Sequence, residues 1–127
     1  IGTDKSGSIE NYNEAIRLEP DYVSAYNNRG LAYTDLGQYQ RAIEDCNEAI
    51  RLKPDHASAY NNRGVAYLIQ GNKKMGCRDA QKACALGICK LLEFAKGEGF
   101  AVESNFHLES AERIIDISRK AMLCFNF

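Results

Sequence analysis

The stretch SAYNNRG stands at Ser24 to Gly30 and again, letter for letter, at Ser58 to Gly64, 34 residues further on. Displacing the whole sequence by 34 extends the match well beyond the heptamer. Residues 23–37 agree with 57–71 at ten of fifteen positions, and residues 9–22 agree with 43–56 at ten of fourteen. A fixed period of this length marks a solenoid, in which no unit can bury its own apolar face and each stacks on its neighbours instead.

Each period reads as two helices. From Val23 to Leu36, Ala25, Tyr26, Ala32, Tyr33 and Leu36 recur at helical spacing, and Gly37 follows as a residue suited to the left-handed closing position. From Tyr39 to Leu52, the residues Tyr39, Ala42, Ile43, Cys46, Ala49 and Ile50 make a second amphipathic stripe that Pro54 stops. Asp21 and Asp55 are the expected N-caps of the helices that follow them.

The residues Tyr26, Gly30, Tyr33, Ala42, Ala49 and Pro54, with Tyr60, Gly64, Tyr67 and Ala83 in the next copy, resemble the tetratricopeptide repeat (TPR) pattern over about residues 8–87. The small residues Gly30 and Ala42 fall where two helices of such a unit cross closely. Arg29 and Arg63 depart from the family by standing where it often has Leu, and Cys46 and Ala80 by replacing a large aromatic. The resemblance implies an all-α helix-turn-helix solenoid of about two and a half repeats with C-terminal capping helices. Residues 1–22 would hold a partial repeat, its second helix only, and 23–56 a complete one. Residues 57–87 would hold a second, with Gly76 in place of the small Ala and Gly87 in place of proline. A capping helix over 88–98 and an off-pattern tail over 99–127 complete the division.

Proteins of this family generally bind peptides or proteins in a concave groove lined by the first helix of each unit. Carried onto this chain, the groove would offer Asn27, Asn28 and Leu31 from one unit and Asn61, Asn62, Val65, Leu68 and Ile69 from the next, with Ser24, Thr34, Asp35 and Ser58 beside them. An asparagine amide is both donor and acceptor, so it can pair with a peptide backbone whatever the side chains. Asn28 and Asn62 sit where the asparagine ladder of the repeat-bearing glycosyltransferases that modify Ser and Thr would have its rungs. The alternative is that these amides bond between repeats. The Lys and Arg clamp with which some members hold a chaperone's terminal carboxylate is incomplete here, because Ser58 and Asn62 occupy the matching positions. Arg29 and Arg63 instead fall on the face turned toward a neighbouring helix, where the expected arrangement is a packed stem and a head paired with a carboxylate such as Asp45.

Composition narrows the function classes. With 45% hydrophobic and 26% charged residues among 127, the chain has the make-up of a folded domain. Sixteen basic residues against seventeen acidic ones, without a polybasic run, make nucleic acid a poor partner, and no apolar run is long enough to span a membrane. The two histidines, His56 and His107, stand in no catalytic context, so the chain reads as non-enzymatic, with no metal and no cofactor. Five cysteines without a CxxC spacing argue for packing over zinc, although Cys84 and Cys89 flank Gly87 and could approach one another. Cys77 and Cys84 are seven apart on one helix, which separates them by about 10 Å and bars a bond between them. The expected location is cytoplasmic, with a periplasmic or exported protein after signal removal as the alternative.

In the tail, Leu108, Ala111, Ile115, Ser118, Met122 and Phe125 alternate at three and four and form a stripe that needs a partner surface. The expected function is therefore a protein-interaction module that holds an extended segment of a peptide or protein partner. The alternative is a structural self-assembly unit, a homo-oligomer formed through the tail stripe and the open repeat ends.

Overall fold

The computed structural model describes residues 5–95 of the chain. Six helices follow one another there: α1 (Lys5–Leu18), α2 (Val23–Asp35), α3 (Tyr39–Leu52), α4 (Ala57–Ile69), α5 (Lys73–Ala85) and α6 (Lys90–Ala95). No strand interrupts them among the described residues. The stripe over 108–125 lies outside the described residues.

Every helix packs on its sequence neighbours, and α2 also meets α4, so successive first helices lie side by side. Two kinds of turn produce this stacking. After α2, Gly37 takes φ 77° while its N–H reaches the Thr34 carbonyl at 3.0 Å and the Gln38 N–H reaches Tyr33 at 2.8 Å. This closure recurs 34 residues later at Gly71 and again at Gly87, and only glycine adopts that backbone without cost. After α3 the chain leaves through an extended Lys53, because Pro54 disfavours a helical residue before it.

The helix starts differ from the expectation by one residue. Tyr22 and His56, not Asp21 and Asp55, occupy the N-cap positions of α2 and α4. The His56 Nδ1 accepts the Ala59 N–H at 3.1 Å, which gives this histidine a structural task. Asn72 caps α5 in the same way, its Oδ1 accepting from Met75 at 3.3 Å.

Small side chains make up most of the interior: Ala42, Cys46, Ala49, Ala59, Ala66 and Ala83 are fully buried. They let the helices approach until a Cβ on Gly30 would stand 3.1 Å from the Cys46 sulfur. The second unit fills the same space with a different division of volume. Thr34 and Ala42 of the first unit become Leu68 and Gly76, and a Cβ on Gly76 would meet the Leu68 side chain at 2.5 Å. Leu68 is therefore 0% exposed, packed between α4 and α5, and the expectation that it lines a groove is corrected. Likewise Cys46 becomes Ala80, and Leu91 of α6 fills the gap, its Cδ2 standing 3.1 Å from where a Gly64 Cβ would be.

The cysteines also divide. Cys46 is free and buried, as a small hydrophobe would be. Cys84 and Cys89 instead form a disulfide across the Gly87 turn, with a Cα–Cα distance of 3.9 Å, and Cys77 is disulfide-bonded as well. Packing alone thus describes only the first of these four.

Candidate interaction surface

The repeated heptamer binds its own copy. Asn27, on α2 and 7% exposed, donates from Nδ2 to the Ser58 Oγ at 3.1 Å, while its Oδ1 accepts from the Asn62 Nδ2 at 2.9 Å. Ser58 and Asn62 are one turn apart on α4, so both meet the one amide of α2. The second asparagine of the first copy, Asn28, turns away from this seam and stands exposed.

Among the described residues the seam ends after one step. Asn61 is the counterpart of Asn27, and its partners would be residues 92 and 96, which are Leu92 and Lys96 in place of Ser58 and Asn62. The Asn61 Oδ1 is buried without a hydrogen-bond partner among the described residues.

These contacts separate the residues that sequence reasoning had grouped in one groove. Asn28 and Leu31 are exposed on α2, Leu31 by 46%, with Ser24 and Asp35 exposed beside them. On α4, Asn62 is half-buried with one of its two amide N–H groups committed to the seam. Val65 and Ile69 are half-buried against the Leu68, Cys77, Ala80 and Leu91 cluster, where Leu92 of α6 joins them. Thr34 is buried and donates to the Gly30 carbonyl at 3.1 Å.

A second set of polar contacts fixes the helices that present this surface. Arg29 donates from Nε and Nη2 to the two Asp45 oxygens at 2.8 and 2.7 Å, and from Nη1 to the Asn13 Oδ1 at 2.8 Å. Arg63 repeats the pattern on Asp79, at 2.8 and 2.7 Å, and on Asn47 at 2.9 Å. Each arginine so joins the first helix of a unit to its own second helix and to the second helix of the unit before. The guanidinium of Arg63 also lies 5.4 Å from the Tyr60 ring centre and 5.9 Å from that of Tyr67. The Asp79 hydrogen bonds hold the Arg63 guanidinium charged beyond its usual range, and Asp45 does the same for Arg29. The expected pairing with Asp45 is observed. Asn13 and Asn47 were not anticipated, although they stand 34 apart in the two copies and could have been found by that register.

A recess of about 280 Å³ opens between α4 and α5, lined by Tyr60, Arg63, Met75, Arg78, Asp79 and Lys82. It shares no residue with the asparagine seam.

Comparison with known proteins agrees with the geometry. Residues 23–56 match a family model described as Tetratricopeptide repeat, residues 6–37 one described as TPR repeat, and residues 46–78 a further Tetratricopeptide repeat model. A stretch of 40 residues, 32% of this chain, is 46% identical to Protein FlbA of Caulobacter vibrioides, of which it spans 7%. Among solved structures, the TPR2B-domain:pHsp70-complex of yeast Sti1 superposes with a TM-score of 0.67 at 23% identity, covering 95% of this chain and 85% of that one. The first TPR of Spaghetti (RPAP3) bound to the HSP90 peptide SRMEEVD gives 0.62 at 23% identity, over 87% and 75%. MamA gives 0.64 at 22% identity, over 97% and 70%. At these identities the structures speak for the fold alone.

Proposed function

We propose that this chain, which belongs to the tetratricopeptide repeat family, is a protein-interaction module that holds an extended segment of a partner along α2 and α4. The observation that supports it best is the exposed pair Asn28 and Leu31 on α2. Asn28 stands outside every hydrogen bond of the seam and offers both donor and acceptor, and Leu31, one turn away, offers apolar surface. On α4 the Asn62 amide gives one of its two N–H groups to Asn27, and the Asn62 Oδ1 would receive a peptide N–H. Val65 and Ile69 contribute their exposed edges, whereas Asn27, Asn61 and Leu68 build the wall behind.

One of the similar structures is a pHsp70 complex and another is bound to an HSP90 peptide. The groove of this chain offers Ser58 and Asn62 where a carboxylate clamp would need cations, so its segment is an internal one, not a free C-terminus. Nothing in the reading calls for catalysis, a cofactor or nucleic acid. No described helix is long and apolar enough to cross a membrane. The Cys84–Cys89 disulfide favours the exported alternative over the cytoplasmic one, because thiols stay reduced in most cytosols.

The test is selection of binders from a displayed library of random peptides, followed by Asn28→Ala and Leu31→Ala. Both residues are exposed, so the variants should fold as the parent does. A roughly tenfold loss of affinity in each supports the groove reading, each step being about 1.4 kcal/mol. Unchanged affinity in both would remove it.

The self-assembly reading rests on apolar surface left uncovered on α1. There Leu18 is 69% exposed, apolar surface that a second copy would cover. Removing residues 104–127, which contain the stripe Leu108, Ala111, Ile115, Met122 and Phe125, should reduce the molar mass measured by light scattering if the tail is that contact. An unchanged mass would count against it.

A further inference from the structure

At one register the second helices change sign along the stack, acidic on α1 and α3 and basic on α5. Positions 10, 44 and 78 are Glu, Glu and Arg, and positions 14, 48 and 82 are Glu, Glu and Lys. On α5 the row continues through Lys74, so Lys74, Arg78 and Lys82 stand at i, i+4 and i+8, about 6 Å apart along the axis by the helical rise. All three are exposed, and none forms a salt bridge among the described residues. The one carboxylate on α5, Asp79, is buried and taken up by Arg63. Like charges at this spacing destabilise a helix, so the row is a cost that folding alone does not require.

We infer that this basic row docks on the acidic row of a second copy of the chain. The chain itself presents carboxylates at the same spacing and register, Glu10 with Glu14 on α1 and Glu44 with Glu48 on α3. Glu14 and Glu48 lean on Arg17 and Arg51 of their own helices, while Glu10 and Glu44 have no ion pair among the described residues and are the first to be matched. The recess beside this row is lined by Tyr60, Arg63, Met75, Arg78, Asp79 and Lys82; its own carboxylate, Asp79, is neutralised by Arg63, which leaves Arg78 and Lys82 to meet such a carboxylate. Because each copy holds both signs, two copies in antiparallel order form the contact twice and close a two-fold pair. This surface is separate from Asn28 and Leu31, so groove binding and pairing can fail independently.

The experiment uses two charge-reversed forms of the full chain, Arg78→Glu with Lys82→Glu, and Glu10→Arg with Glu44→Arg. Circular dichroism controls the fold, and sedimentation equilibrium reads the mass. The parent chain should pair at about 20 mM salt and lose at least about tenfold in association constant by about 0.3 M, as screening shortens the reach of exposed charges. Each reversed form alone should be monomeric, and their equal mixture should pair again, since both contacts are then complementary. A parent that stays monomeric at low salt overturns the inference. So does pairing that survives reversal, which would move the contact to the tail, or a mixture that stays monomeric. Binding of RNA or anionic vesicles by a parent that never self-associates would assign the row to another ligand and overturn it as well.

Discussion

Arg63 and Asp79, sixteen residues apart on α4 and α5, share two parallel hydrogen bonds of 2.8 and 2.7 Å with only 17% and 4% of their side chains exposed. Arg29 and Asp45 do the same one unit earlier, with 20% and 8% exposed. The planar fork matches the carboxylate, and the remaining nitrogen reaches an asparagine of the preceding unit.

Removing one side of such a pair should be severe, because it leaves a buried charge uncompensated. Arg63→Ala is expected to lower stability by about 3–5 kcal/mol in urea unfolding, and Arg63→Lys to recover only part of that, since an ammonium cannot form the fork. A loss below about 1 kcal/mol would mean that water reaches Asp79 freely.

The exchange of volume between the two units predicts a coupled pair of substitutions. Gly76→Ala alone should cost about 1–3 kcal/mol through its collision with Leu68. Leu68→Thr together with Gly76→Ala rebuilds the Thr34–Ala42 pair of the first unit, and a double-mutant cycle of thermal melts should show the two changes compensating. Additive losses would refute the compensation.

Equivalent asparagines should respond in opposite directions. Asn27→Ala breaks the bonds to Ser58 and Asn62 and is expected to cost about 1–3 kcal/mol. Asn61→Ala removes a buried acceptor that has no partner among the described residues, so it should be neutral or stabilising in the same unfolding assay. Equal losses at both positions would show that Asn61 is satisfied in solution.

Burial, reinforced by Asp45, pushes the Cys46 thiol up to about 12. Its folded value lies above the unfolded one of about 8.5, so the folded chain keeps the proton longer. The stability this thiol contributes is complete below the unfolded value and is lost as pH rises toward the folded one, with a slope of at most about 1.4 kcal/mol per pH unit. Cys46→Ala should flatten that alkaline slope. In the parent chain, alkylation of Cys46 at pH 8 should proceed only as fast as the chain opens; rapid labelling of the folded protein would contradict the burial.

Helix content, the 34-residue register, the turn glycines and the family were legible in the sequence because each depends on local chemistry repeated at a fixed offset. Gly37 and Gly71 close helices by their own backbone freedom, and Pro54 ends α3 without help from any distant residue. The pairing of an arginine with Asp45 was legible too, since amphipathic spacing alone turns Arg29 toward a neighbouring helix. What only the tertiary structure decided is how space and hydrogen bonds are divided once the units stack. Asn27 and Asn28 are adjacent and identical as letters, yet stacking buries one against Ser58 and Asn62 and leaves the other in solvent. Leu68 looked like groove surface because its counterpart was read as facing outward, but the missing Cβ of Gly76 draws it inward, and the periodicity of one helix cannot report a vacancy on the next. The role of a repeated residue is set by what stands 34 positions away in space as well as in sequence, and that neighbour exists only after the chain has folded.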